Sequence, residues 1–126
     1  MHLITAEQDS SILGSLTSLD LSKCTLGDKQ ADFFKALSKM PNLTSLNLDG
    51  SGLGVDGVKA LAASTTLTNL TSLNLGHNHI GPNDAKALVA STAFTNLTSL
   101  TLRGNSIGPD GAKTLAASPT LTDLTF

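Results

Sequence analysis

Leucine and polar residues alternate in one short phrase that returns along the chain. It reads Leu16-Thr17-Ser18-Leu19-Asp20-Leu21, then Leu43-Thr44-Ser45-Leu46-Asn47-Leu48, Leu70-Thr71-Ser72-Leu73-Asn74-Leu75 and Leu97-Thr98-Ser99-Leu100-Thr101-Leu102. Each copy starts 27 residues after the last, and Leu124-Thr125-Phe126 begins a further one at the same interval. Within a phrase the last two leucines lie two apart, the spacing of side chains on one face of a strand. A second pattern follows each phrase. Val58, Leu61 and Ala62, then Ala85, Leu88 and Val89, then Ala112, Leu115 and Ala116 recur at helical spacing and predict an inward apolar stripe. In the first unit Ala31, Phe34 and Leu37 form the expected helix face. Each unit is therefore predicted to run strand, loop, short helix, return.

Between strand and helix, Leu53, Ile80 and Ile107 are expected to turn back into the core. Gly27, Gly54, Gly81 and Gly108 follow, where the turn calls for a residue without a side chain. Pro82 and Pro109 suit a first helical turn. Asp56 and Asp110 suit the positive end of the helix dipole and stand three before Lys59 and Lys113. Ser118-Pro119 is expected to end the last helix. A period inside 20–29 residues opening with L-x-x-L-x-L predicts an α/β leucine-rich repeat solenoid. This is a right-handed βα superhelix, a gently curved arc with parallel strands on the concave face and short helices on the convex face. Strands stack about 4.8 Å apart while packed helices need about 8–10 Å, and the mismatch bends the stack toward its strands.

The predicted units are 1–15 as an N-terminal cap or degenerate repeat, and 16–126 as the repeat domain. Its repeats are 16–42, 43–69, 70–96 and 97–123, with a partial repeat at 124–126. Phe33 and Phe34 add bulk near the first end and are read as capping residues rather than ligand contacts. Phe126 falls inside a repeat, which raises two expectations: a longer repeat protein, or an end-to-end homodimer burying the last repeat.

The template resembles the ribonuclease-inhibitor-like class of leucine-rich repeats. Asn78 and Asn105 hold that class's asparagine-or-cysteine place and Cys24 holds it in the first repeat; Ser51 departs from it. The resemblance implies an asparagine that hydrogen-bonds backbone in the turn, a looser second repeat at Ser51, and Cys24 as a buried structural residue. Gly57-Val58-Lys59-Ala60-Leu61-Ala62 and Gly111-Ala112-Lys113-Thr114-Leu115-Ala116 are also similar to bacterial GALA-type repeats. Those occur in effectors delivered into host cells, and the resemblance implies a protein partner, a host protein in the effector case, and a role in virulence.

Composition narrows the function. Eight Lys and Arg against ten Asp and Glu leave a net charge of −2, with no clustered basic field for nucleic acid. No stretch reaches the length of a membrane helix. One cysteine forms no internal disulfide and favours an intracellular setting, that of the bacterium or of a host receiving the protein. No nucleophile elbow, phosphate loop, HExxH or paired-carboxylate signature is present, so neither enzyme activity nor a cofactor is expected. His77-x-His79 lacks the third and fourth ligands zinc requires and is read as a solvated loop pair.

What remains is the surface between the buried leucines. Two readings stand: Ser and Thr columns suited to a solvated strand surface, or a polar contact strip of Asp20, Asn47, Asp49, Asn74, His77, Thr101 and Arg103. Arg103 is the single arginine of the chain, and arginine is enriched at interface hot spots. Five strands span only about 19 Å, little for an interface of about 800 Å² per partner. A non-catalytic protein-interaction module leads. The alternative is a structural repeat segment of a larger or self-assembling protein.

Overall fold

The computed structural model describes residues 14–126, Asp28 without its side chain; most of the expected N-terminal cap, 1–13, lies outside the described residues. Five short strands form one parallel sheet in sequence order: β1 (Ser18–Asp20), β2 (Ser45–Asn47), β3 (Ser72–Asn74), β4 (Ser99–Thr101) and β5 (Asp123–Thr125). Four helices alternate with them: α1 (Gln30–Leu37), α2 (Gly54–Ala62), α3 (Pro82–Ala90) and α4 (Gly108–Ala116). A 3₁₀ turn precedes α1 at Gly27–Lys29 and another follows α3 at Thr92–Phe94. Among the described residues no helix is long and apolar enough to cross a membrane.

The leucines of the phrase make the core. Leu43, Leu46, Leu48, Leu70, Leu73, Leu75, Leu97, Leu100 and Leu102 are buried, with Leu53, Ile80 and Ile107 closing each loop over them. Strand partners are 27 residues apart from β1 through β4, as in Leu46 opposite Leu73 and Leu73 opposite Leu100. The last pair breaks the rule. β5 sets Leu124 opposite Leu100 and Thr125 opposite Thr101, an offset of 24. The phrase allows this because its first two leucines are three apart, so a three-residue slip carries Leu124 from the Leu97 column to the Leu100 column.

The helices follow the pattern with three adjustments. In α1 the buried face is Phe33, Ala36 and Leu37, with Phe34 half-buried edge-on to Phe33 and Ala31 exposed. The stripe expected at Ala31, Phe34 and Leu37 is thus rotated: the unit's first helical turn, from Gly27, is 3₁₀, with three residues per turn, and the α-helix that follows presents Phe33 to the core. In α2 and α4 the glycines at 57 and 111 are buried with Val58, Leu61 and Leu115, whereas Ala116 is exposed. A Cβ on Gly111 would stand 2.5 Å from Ile107 Cγ2 and 3.2 Å from Pro82 Cα, so that glycine sets how closely α4 approaches α3. Finally, Gly27, Gly54 and Gly108 take positive φ, but Gly81 is extended at φ −101°. There the buried Asp84 carboxylate accepts the Gly81 N–H at 3.2 Å and caps α3 in place of the left-handed turn.

Hydrogen bonds run between repeats in three ladders. Asn42, Asn69 and Asn96 each donate Nδ2 to a carbonyl one repeat back, on Gly14, Pro41 and Thr68. Thr44, Thr71 and Thr98 donate their hydroxyls to Thr17, Thr44 and Thr71 carbonyls. The third ladder is the asparagine place. Asn105 Oδ1 accepts from the Asn78 and Ile80 amides, both at 2.9 Å, and its Nδ2 donates to Leu75 and Leu102 carbonyls. The bonds expected inside one turn therefore also clamp the turn before it. At Ser51 the clamp is partly replaced: Leu26 N–H reaches the Ser51 carbonyl, and the buried Ser51 hydroxyl donates to Asn78 Oδ1 at 3.3 Å. Cys24 is half-buried against the core rather than fully enclosed.

Candidate functional site

The strand face carries the residues expected to form a contact strip, and their local bonding sorts them. Asp20 Oδ1 accepts the Ser22 N–H at 2.9 Å, Asn47 Oδ1 the Asp49 N–H at 3.0 Å, and Asn74 Oδ1 the Gly76 N–H at 3.0 Å. Each closes an Asx turn that ends its own strand. The Ser22 backbone N–H, helped by the Ser22 hydroxyl, holds the Asp20 carboxyl below the ordinary aspartate range. This column therefore has a structural role that the sequence pattern of alternating polar positions does not reveal. Asp56 and Asp110, by contrast, close no ion pair with Lys59 and Lys113 among the described residues.

Asp49, Asn74, Gly76, His77, Thr101, Arg103 and Thr125 surround an open depression of about 230 Å³ on the strand face. Five of the seven expected residues thus come together, while Asp20 and Asn47 lie outside its lining. His77 Nδ1 sits 2.9 Å from Asp49 Oδ1, a bond reaching across two repeats. The imidazole is more than half exposed and the carboxylate about a quarter exposed. His79 does not join it: the carboxylate, not the second histidine, is the partner of His77.

Two glycines make room for that pair. A Cβ on Gly104 would fall 2.2 Å from His77 Cδ2, and one on Gly76 would fall 2.5 Å from Asp49 Oδ1. The backbone adds its own constraint. Lys23, Gly50, His77 and Gly104 occupy the same place in successive turns and all take positive φ, from 54° to 74°. A residue with a Cβ pays about 1–2 kcal/mol there, and His77 sits in it while the next repeat uses glycine. Gly76 and Gly104 are the residues that sequence reasoning missed. Their signal was present as breaks in the outward columns, where Asp49 gives way to Gly76 and His77 to Gly104.

The comparisons with known proteins agree with this geometry. A family model described as Leucine Rich repeat matches residues 15–29, 39–62, 66–89 and 95–116, more than half of the sequence. The chain belongs to the leucine-rich repeat family. Its fold is similar to that of a leiomodin-1 structure titled Actin-Binding Site 2, at TM-score 0.73 and 22% identity over 92% of this chain and 73% of that one. A tropomodulin C-terminal domain from Caenorhabditis elegans superposes at TM-score 0.71 with 13% identity, covering 94% of this chain and 83% of that one. An internalin from Listeria monocytogenes superposes at TM-score 0.54 with 22% identity, covering 97% of this chain and 38% of that one. At these identities the likeness is one of fold. No curated protein matches the sequence. As a leucine-rich repeat domain the chain is of a kind consistent with protein–protein interaction.

Proposed function

We propose that this leucine-rich repeat domain is a non-catalytic protein-interaction module of the ribonuclease-inhibitor-like class, binding its partner through the strand face. The observation that carries the proposal is the depression lined by Asp49, Asn74, His77, Thr101 and Arg103, the place where the strip departs from repeat-fixed residues. The GALA-type phrases support a bacterial effector acting on a host protein inside the host cell. The leiomodin-1 neighbour is an actin-binding site, which makes actin a specific protein to include among the baits.

The test is capture from host lysate, with purified actin as a separate arm. Arg103→Glu reverses the one exposed guanidinium of the strip and is expected to reduce capture about tenfold or more, the range of an interface hot spot. Retention of every prey by this variant would place binding on another surface. The remaining reading is a structural segment whose copies meet end to end, supported by the half-buried Leu121 and Leu124 and the exposed Phe126 beside β5. Light scattering decides it: the dimer reading requires a mass that doubles with concentration, and a constant monomer mass would remove it.

A further inference from the structure

We propose that the depression between Asp49, His77 and Arg103 receives the carboxylate of an aspartate or glutamate side chain of the partner, an inference that rests on the strand face being the binding face. Around the depression the acceptors are mostly spent. Asp49 Oδ1 is taken by His77, and Asn74 Oδ1 by the Gly76 amide. The Arg103 carbonyl accepts from the His77 amide at 2.8 Å, and the Gly76 carbonyl from the Gly50 amide and Asn78 Nδ2. The Thr101 and Thr125 carbonyls accept from the Leu75 and Leu102 amides. Asp49 Oδ2 and the hydroxyl oxygens of Thr101 and Thr125, which can also donate, are the oxygens left over among the described side chains.

The donors are unspent. The Arg103 guanidinium has no acceptor or ion pair among the described residues, and the same holds for Asn74 Nδ2 and the Thr101 and Thr125 hydroxyls. A guanidinium offers five N–H donors in a planar fork that fits a carboxylate with two parallel bonds. A ligand that completes the site must therefore bring acceptors, and the formal charge of Arg103 asks that they be anionic.

The Asp49–His77 bond explains how a second acidic group enters beside Asp49. The imidazole holds its Nδ1–H toward Asp49, which engages that carboxylate and leaves Nε2 as the other hydrogen-bonding atom of the ring. The cost of holding His77 at φ 54°, with glycine cleared from beneath it at 104, is the cost of that arrangement. Lys23, which fills the equivalent turn in repeat one, has no carboxylate partner among the described residues. An acidic side chain reaching from a protein surface fits an open, shallow depression better than a chain terminus, which needs a closed pocket around its backbone.

The test uses the folded chain and the blocked amino acids N-acetyl-glutamate amide, N-acetyl-glutamine amide and N-acetyl-lysine amide, with acetyl-glycine supplying a terminal carboxylate. Resonances of the Arg103 side chain and the His77 ring are followed by NMR. The proposal expects saturable shifts of both with the glutamate probe, at least about tenfold weaker binding of the glutamine probe, and a comparable loss in Arg103→Gln. His77→Asn keeps a residue that tolerates the left-handed turn and is expected to weaken the glutamate probe while leaving the circular dichroism unchanged. Equal response to glutamate and glutamine, or tighter binding of the lysine probe, overturns the proposal; a response to acetyl-glycine alone replaces the side chain by a C-terminus. Failure here with lysate capture still sensitive to Arg103→Glu sinks only the carboxylate, whereas loss of that sensitivity sinks the strand-face reading itself.

Discussion

Asn78→Ala is expected to lower the free energy of unfolding by about 3 kcal/mol, the sum of two orphaned buried donors and weakened carbonyl partners. Asn78 is fully buried and makes four side-chain hydrogen bonds. Its Nδ2 donates to the Leu48 and Gly76 carbonyls at 2.8 and 2.9 Å, and its Oδ1 accepts from the Leu53 amide at 3.1 Å and the Ser51 hydroxyl. The carbonyls keep other donors, since Ser51 N–H also reaches Leu48 and Gly50 N–H reaches Gly76. The Leu53 amide and Ser51 hydroxyl keep none in their positions, so the larger share of the cost falls there. Ser51 sharpens the effect, because it stands in the asparagine place without an amide of its own. A domain stable by about 5–15 kcal/mol loses a large fraction of that margin. With no Trp or Tyr in the sequence, urea unfolding is followed by far-ultraviolet circular dichroism rather than fluorescence. Asn105→Ala, at a half-buried site, should cost less. A loss below about 1 kcal/mol for Asn78→Ala would mean that water replaces the amide and that the ladder is not what holds repeats two and three.

The second large effect is a change of register. β5 pairs with β4 at an offset of 24, whereas every other pair keeps 27. At 27 the strand would be residues 126–128, and Thr125 would face Thr98. Asp123 favours the observed setting for a chemical reason. It follows Asn42, Asn69 and Asn96 in the ladder whose amides donate one repeat back, and a carboxylate has no N–H to give. In the observed register it instead accepts from the Ser99 hydroxyl at 3.4 Å. Replacing Phe126 by Ser, continuing with Leu-Asn-Leu and a copy of residues 76–96, and adding Asp123→Asn should therefore move the strand by three residues, about 10 Å along its axis. Cysteines at 101 and 125 should cross-link in the present chain, and cysteines at 98 and 125 in the lengthened one. Persistence of the 101–125 link after lengthening would show that the short register is intrinsic. Because Thr125 lines the depression beside Arg103, the shift would also change the site's rim.

That register departs from the repeat spacing for a reason the last residues carry. An offset of 27 would set Phe126 in the outward Ser99 column, whereas 24 sets Leu124 opposite Leu100 and Phe126 level with Leu102. The same setting brings Asp123 to Ser99, side chains that meet only in the sheet. The asparagine ladder divides in the same way. Its positions are legible from the spacing of Asn78 and Asn105. That each amide clamps the preceding turn depends on stacking that no single repeat contains.

The sequence alone determined the unit: a three-residue strand at Ser45–Asn47 and its equivalents, a helix near each alanine-rich stretch, and a leucine core between them. It did so because every interior repeat meets the same neighbours, so one period of polarity specifies one environment many times over. The tertiary structure decided what happens where repeats differ. It turned the α1 face to Phe33, extended Gly81 over Asp84, and joined His77 to Asp49 from the repeat before. It also left Arg103 beside them without an ion pair among the described residues. The His77–Asp49 bond in particular joins side chains 28 residues apart in sequence and a single strand spacing apart in space, a distance that local pattern does not measure.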